Sequence, residues 1–136
     1  MGVFEELRIA WKVCSPLPPE AAPRVIEVFN RLGYTPTDDI LKLYTTIGGV
    51  EWGVPGGFCL WDLDLLSERN RSAREEDSWP IQRLLFADHL LRSDDYWLER
   101  NGSTSAVYWC GGSERVSSLA EFFHIYLTDW KRLGLV

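Results

Sequence analysis

Residues 44–66 read Tyr44-Thr-Thr-Ile-Gly48-Gly49-Val-Glu-Trp52-Gly-Val-Pro-Gly-Gly57-Phe58-Cys-Leu-Trp61-Asp-Leu-Asp64-Leu-Leu66. The stretch opens with the last turn of an amphipathic helix, stopped by the glycine pair. It bends through a glycine-rich segment into an aromatic strand, then enters a leucine-rich turn. On its N-terminal side the apolar residues recur at helical spacing, and on its C-terminal side strand patterns dominate.

Working backwards, Ile40, Leu41, Leu43, Tyr44 and Ile47 form the buried face of a third helix. Thr37 is its expected N-cap, and Asp38 and Asp39 sit where the helix dipole favours negative charge. A second helix is predicted over residues 23–32, with Pro23 in the first turn and Val25, Ile26, Phe29 and Leu32 on one face. Gly33 closes it. Phe4, Leu7, Trp11 and Cys14 predict a first helix over residues 3–14, ended by Pro16, Pro18 and Pro19.

Working forwards, residues 57–61 read as a strand, with Leu63, Leu65 and Leu66 packing a turn or short helix behind it. Residues 67–79 are charged and poor in apolar side chains, as a solvated loop or exposed helix would be. Residues 83–87 and 95–100 are strand candidates, and Asn101-Gly102 is a hairpin turn leading to a strand over 104–110. A short strand follows at 114–117. Ser118-Leu-Ala-Glu121 is a capping box, followed by a helix face of Leu119, Phe122, Phe123, Tyr126, Leu127 and Trp130. The expectation is a single α+β domain over residues 1–136: N-terminal helices, an antiparallel sheet of about five strands, and a C-terminal helix packed on it.

At 136 residues the chain can bury a core without staples, and most of its seven tryptophans are expected there. The formal charge of −6 argues against nonspecific binding to nucleic acid or anionic lipid. Cys14, Cys59 and Cys110 are odd in number and lack CxxC spacing, so neither a disulfide framework nor a zinc knuckle is indicated. There is no apolar run of membrane length and no signal-peptide pattern. Glu6 stands where a myristoylation signal at Gly2 needs Ser or Thr, so the expected location is the cytoplasm.

No motif for catalysis or cofactor binding is present. Cys59 and Cys110 are the available thiol nucleophiles, with His89 or His124 as base and Asp88 or Asp62 as orienter. Yet cysteines within aromatic strands behave as small buried hydrophobes. Asp88 and His89 are adjacent on a strand and so point to opposite faces. The carboxylate pairs Asp62/Asp64 and Asp94/Asp95 specify no cleft, and the former is read as a strand-end cap. The glycines at 48, 49, 53, 56 and 57 match neither a dinucleotide fingerprint nor a phosphate loop. No metal or other cofactor is expected.

With this layout in place, the chain resembles the SUKH superfamily, the Smi/Knr-type domain. The resemblance rests on the order of Pro36, the run Ile40-Leu41-Lys42-Leu43-Tyr44, the Gly48-Gly49 stop and Phe58-Cys59-Leu60-Trp61 leading into Asp62-Leu63-Asp64-Leu65-Leu66. Phe86-Ala87-Asp88-His89, Asp95-Tyr96-Trp97-Leu98 and Ser117-Ser118-Leu119-Ala120-Glu121-Phe122-Phe123 follow in order. It covers the chain from about residue 20 onward. Two departures are Ile47, where a polar residue is common, and a longer segment at 67–79.

What the resemblance implies is a non-enzymatic protein-binding domain, an immunity protein that occludes a cognate toxin, often a nuclease. Such a target has a basic cleft, which an acidic inhibitor suits. The expected acidic surface comprises Asp38, Asp39, Glu51, Glu75, Glu76, Asp77, Asp94 and Asp95, with Trp52 and Trp79 as aromatic anchors. The rival readings are a regulatory scaffold domain without a toxin partner, and a small hydrolase or ligand-binding domain using Cys59, Asp88 and His89.

Overall fold

A computed structural model describes residues 2–11, 14, 16–50, 57–76, 83–89, 94–109 and 115–133. The elements run α1 (Val3–Ala10), α2 (Ala22–Arg31), α3 (Asp38–Thr46), β1 (Phe58–Leu60), α4 (Leu63–Glu76), β2 (Leu84–His89), β3 (Asp94–Asn101), β4 (Thr104–Trp109), β5 (Arg115–Val116) and α5 (Leu119–Asp129). The strands form one antiparallel sheet in sequence order. The expected α+β domain with α5 on the sheet is what forms.

Phe122 of α5 is the centre of the core. Its ring meets Phe58, Phe86, Tyr96 and Trp109, one aromatic from each of β1 to β4, at centroid distances of 5.6–6.4 Å. Edge-on and tilted contacts of this kind suit the quadrupoles of the rings. The capping box holds at the start of the helix, where Ser118 Oγ accepts from the Glu121 N–H at 3.1 Å. Leu127 and Trp130 are only partly buried, and Ile125 joins the buried face instead.

α1 stops short of the predicted helix. Trp11 leaves helical backbone (φ −97°, ψ 85°), which sets its indole against Phe58, Phe123 and Tyr126. Burial of that ring outweighs further helical hydrogen bonds. In α2, Val25, Phe29 and the following Leu32 are buried as expected, but Ile26 is 38% exposed.

The stretch 44–66 closes on itself. Tyr44 donates its hydroxyl proton to the Trp61 carbonyl at 2.9 Å, and Val50 and Leu60 exchange two backbone bonds of 2.9 and 2.8 Å. The two glycines act for different reasons. Gly48 takes φ 76°, whereas a Cβ on Gly49 would lie 3.0–3.1 Å from the Asp62 Cβ, Cα and N.

The segment after Leu66 settles an open alternative: of the solvated loop and the exposed helix, the helix forms, and with the turn before it makes one 14-residue element, α4. Asp62 caps it, accepting the Leu65 N–H at 2.9 Å. Only Leu63, Leu66, Asn70 and Ala73 are buried, a sparse face that masks helical periodicity. Asn70 supplies what apolar residues do not. Its Nδ2 donates to the Leu66 and Leu85 carbonyls at 2.8 and 2.7 Å, and its Oδ1 accepts the Leu85 N–H at 2.9 Å. β1 pairs with β2 only from Ala87 to His89, so Asn70 takes the place of a missing strand at Leu85.

A bulge interrupts β2 between Leu85 and Ala87. Strict alternation from Phe86, which packs on α5, would turn Asp88 into the aromatic core. The extra residue shifts the phase, so Ala87 pairs with the core-facing Tyr96 and Asp88 turns to the other face.

Asn70→Ala leaves the Leu85 N–H and carbonyl without their side-chain partner and should lower stability by at least ~2 kcal/mol. A reduced urea midpoint at unchanged m-value checks this. Gly102 (φ 63°) has nothing within 4 Å of an added Cβ, so Gly102→Ala should cost about 1 kcal/mol from backbone strain. Gly49→Ala should cost more in the same assay, because Asp62 backbone must move.

Candidate functional site

The face of the sheet turned away from α5 carries the chemically interesting side chains. Cys59, Asp88 and Asp95 are paired in register across β1, β2 and β3. Asp88 is 4% exposed and accepts the Trp61 Nε1–H at 3.1 Å. The Arg69 guanidinium lies 3.7 Å from the same Asp88 oxygen and 5.1 Å from the Trp61 ring centroid. Thus α4 supplies a cation to a carboxylate that the bulge has kept out of the core. The cluster holds together through charge and desolvation, and breaking it would strand a buried ion.

This arrangement is poor for nucleophilic chemistry. The Asp88 carboxylate, the orienter named with Cys59, is turned to the Trp61 indole and the Arg69 guanidinium. His124 is exposed on α5, whose packed side faces the opposite surface of the sheet. Cys110 and the His89 side chain lie outside the described residues. Among the described residues no group of three His, Cys, Asp or Glu side chains could hold a metal ion. Asp62 is the α4 cap and Asp64 pairs with Arg24 at 3.2 Å, so these carboxylates are not an acid–base couple.

A second polar cluster was not foreseen. Tyr34 donates to Ser105 Oγ at 3.0 Å, Ser105 and Thr37 hydroxyls lie 2.8 Å apart, and Thr37 donates to the Asp39 carboxylate. Since Thr37 has one proton to give, the chain runs Tyr34 to Ser105 to Thr37 to Asp39. The other Asp39 oxygen accepts the Ser105 backbone N–H at 3.1 Å. Thr37 keeps the extended backbone of an N-cap, but its hydroxyl makes no cap bond, contrary to expectation. The Ser105 residue is fully buried, which removes it from reaction with any ligand. No local sequence pattern announces this cluster, because its members lie on the α2–α3 connection, α3 and β4.

Among the described residues, the predicted acidic positions fall on three elements, α3, α4 and β3. Asp38 is exposed at the start of α3, and Glu75 and Glu76 are exposed in the last turn of α4, not in a loop. Asp39 is half-buried and engaged, so the expectation of an exposed side chain there is corrected. Asp94 and Asp95 begin β3, with Asp95 in the strand expected over 95–100. Arg100, paired with the Ser105 that Asp39 holds, stands five residues further along β3, roughly 17 Å away. Glu51, Trp52, Asp77 and Trp79 lie outside the described residues.

No family model matches the chain, and no curated protein is significantly similar to it. Among the described residues no helix is long and apolar enough to cross a membrane.

Burial, reinforced by the Asp39 charge, pushes the Tyr34 phenol up to about 12; the Ser105 hydrogen bond and the Arg100 charge oppose the shift. Burial likewise raises Tyr126 to about 12 and holds Tyr44 well above the ordinary range. A raised folded-state value stabilises fully below the unfolded value near 10 and is lost as pH climbs through the folded one. Stability should therefore fall between pH ~10 and about 12. Tyr34→Phe should cost about 1 kcal/mol at neutral pH and make that alkaline decline shallower, as measured by urea unfolding across the range.

Proposed function

We propose that this chain is a non-enzymatic protein-binding domain of the Smi/Knr type, acting as an immunity protein that neutralises a basic toxin domain by occlusion. The observation that carries the reading is the placement of Glu75 and Glu76. Both are exposed in the last described turn of α4, neither forms an ion pair among the described residues, and the helix dipole disfavours negative charge there. With the nearby acidic residue Asp77 in sequence, they concentrate charge where it costs the fold stability. A basic partner that neutralises them gives that cost a purpose. The net charge of −6 acts in the same direction.

The test is reconstitution with the toxin domain encoded beside this gene. The wild-type chain should abolish the toxin's activity at equimolar ratio. Paired Glu75→Lys and Glu76→Lys substitutions should slow association about tenfold at low salt, with the difference shrinking at high salt. The same substitutions should raise thermal stability slightly, since they favour the helix dipole. A toxin left active by the wild-type chain would refute the reading. Unchanged association with the double variant would remove α4 from the interface.

A further inference from the structure

A cavity of about 390 Å³ opens beside the Tyr34–Ser105 cluster, lined by Gly33, Tyr34, Thr35, Glu99 and Arg100. Its volume is in the range of small-ligand pockets. Among the described residues Arg100 is its only cationic lining residue, and the charge is held in an unusual way. Nε donates to the Gly102 carbonyl at 3.2 Å and Nη1 to the Thr35 carbonyl at 2.9 Å. These neutral acceptors fix the plane of the guanidinium without cancelling its charge, and among the described residues both Nη2 hydrogens are unused.

The carboxylates that could have paired with it are committed elsewhere. Glu99 faces Arg83, whose Nε lies 2.8 Å from its Oε1. Asp39 takes the Thr37 hydroxyl proton and the Ser105 N–H. Among the described residues, Arg100 pairs with no carboxylate. Gly33, at φ 80°, contributes backbone without a side chain to close the cavity.

We propose that this cavity is an oxyanion-binding site in which the pre-oriented Arg100 guanidinium grips a phosphate or carboxylate group of a small ligand. The site is independent of the acidic surface of α4. A planar fork held in advance loses little conformational freedom on binding and recognises two oxygens of one anion.

The isotope-labelled full chain is titrated by NMR with inorganic phosphate and, separately, with succinate, at constant ionic strength set with chloride. Saturable shifts confined to the Gly33, Tyr34, Thr35 and Gly102 amides and the Arg100 Nε–H are expected with at least one of them. Phosphate alone identifies a phosphorylated ligand, succinate alone a carboxylate, and both a general oxyanion site. Arg100→Gln should weaken the binding about tenfold or more. Should that variant not fold, the location and saturability of the wild-type shifts decide the matter. Shifts that grow linearly, spread over the surface, or persist in a folded Arg100→Gln chain would overturn the assignment.

Discussion

The structure depends on how the exposed edge of β2 is satisfied. β1 is three residues long and covers only the end of β2, so the Leu85 N–H and carbonyl are buried without a neighbouring strand. A buried peptide group without a partner is costly enough to forbid the arrangement. The Asn70 amide offers a donor and an acceptor in the geometry of a peptide group and meets both needs. That single side chain therefore couples α4 to the sheet. The opposite edge repeats the solution, since Asp39 of α3 accepts the Ser105 N–H just beyond the reach of the two-residue β5. Short terminal strands are tolerated because helices close both edges with polar side chains.

The bulge in β2 is the second constraint. It allows Phe86 and Ala87 to face the helices and turns Asp88 to the other surface, where Trp61 and Arg69 receive it. One inserted residue thereby separates an aromatic core centred on Phe122 from a charged cluster. The separation also leaves Asp88 ion-paired with Arg69 on the surface away from α5.

The charges outside that unit divide into two kinds. Some complete the fold: Asp62 caps α4, Asp39 closes β4, and Arg100 ties the α2–α3 connection to the hairpin. Others, Asp38, Glu75 and Glu76, face solvent and have no side-chain bond among the described residues. A functional reading belongs to the second kind and to the unused donors of Arg100. The first kind is already explained by hydrogen bonding. Sequence alone mixes the two, as the inclusion of Asp39 in the expected surface shows.

What the sequence determined was most of what near neighbours set, the Thr37 cap bond being an exception. The Ser118 cap, the aromatic face of α5, the Asn101-Gly102 hairpin and the glycine stops at 33 and 48 all form as read, because caps, turns and helical periodicity are local. The α+β architecture followed from their order. Tertiary structure alone decided the length of α4, whose polar sequence becomes a helix because Asn70 is needed at Leu85. It also decided that Trp11 leaves its helix for the ring of Phe58, that Asp39 is engaged, and that Arg100 borders a cavity. Each of these depends on groups distant in the chain, and only the folded chain brings their partners within bonding distance.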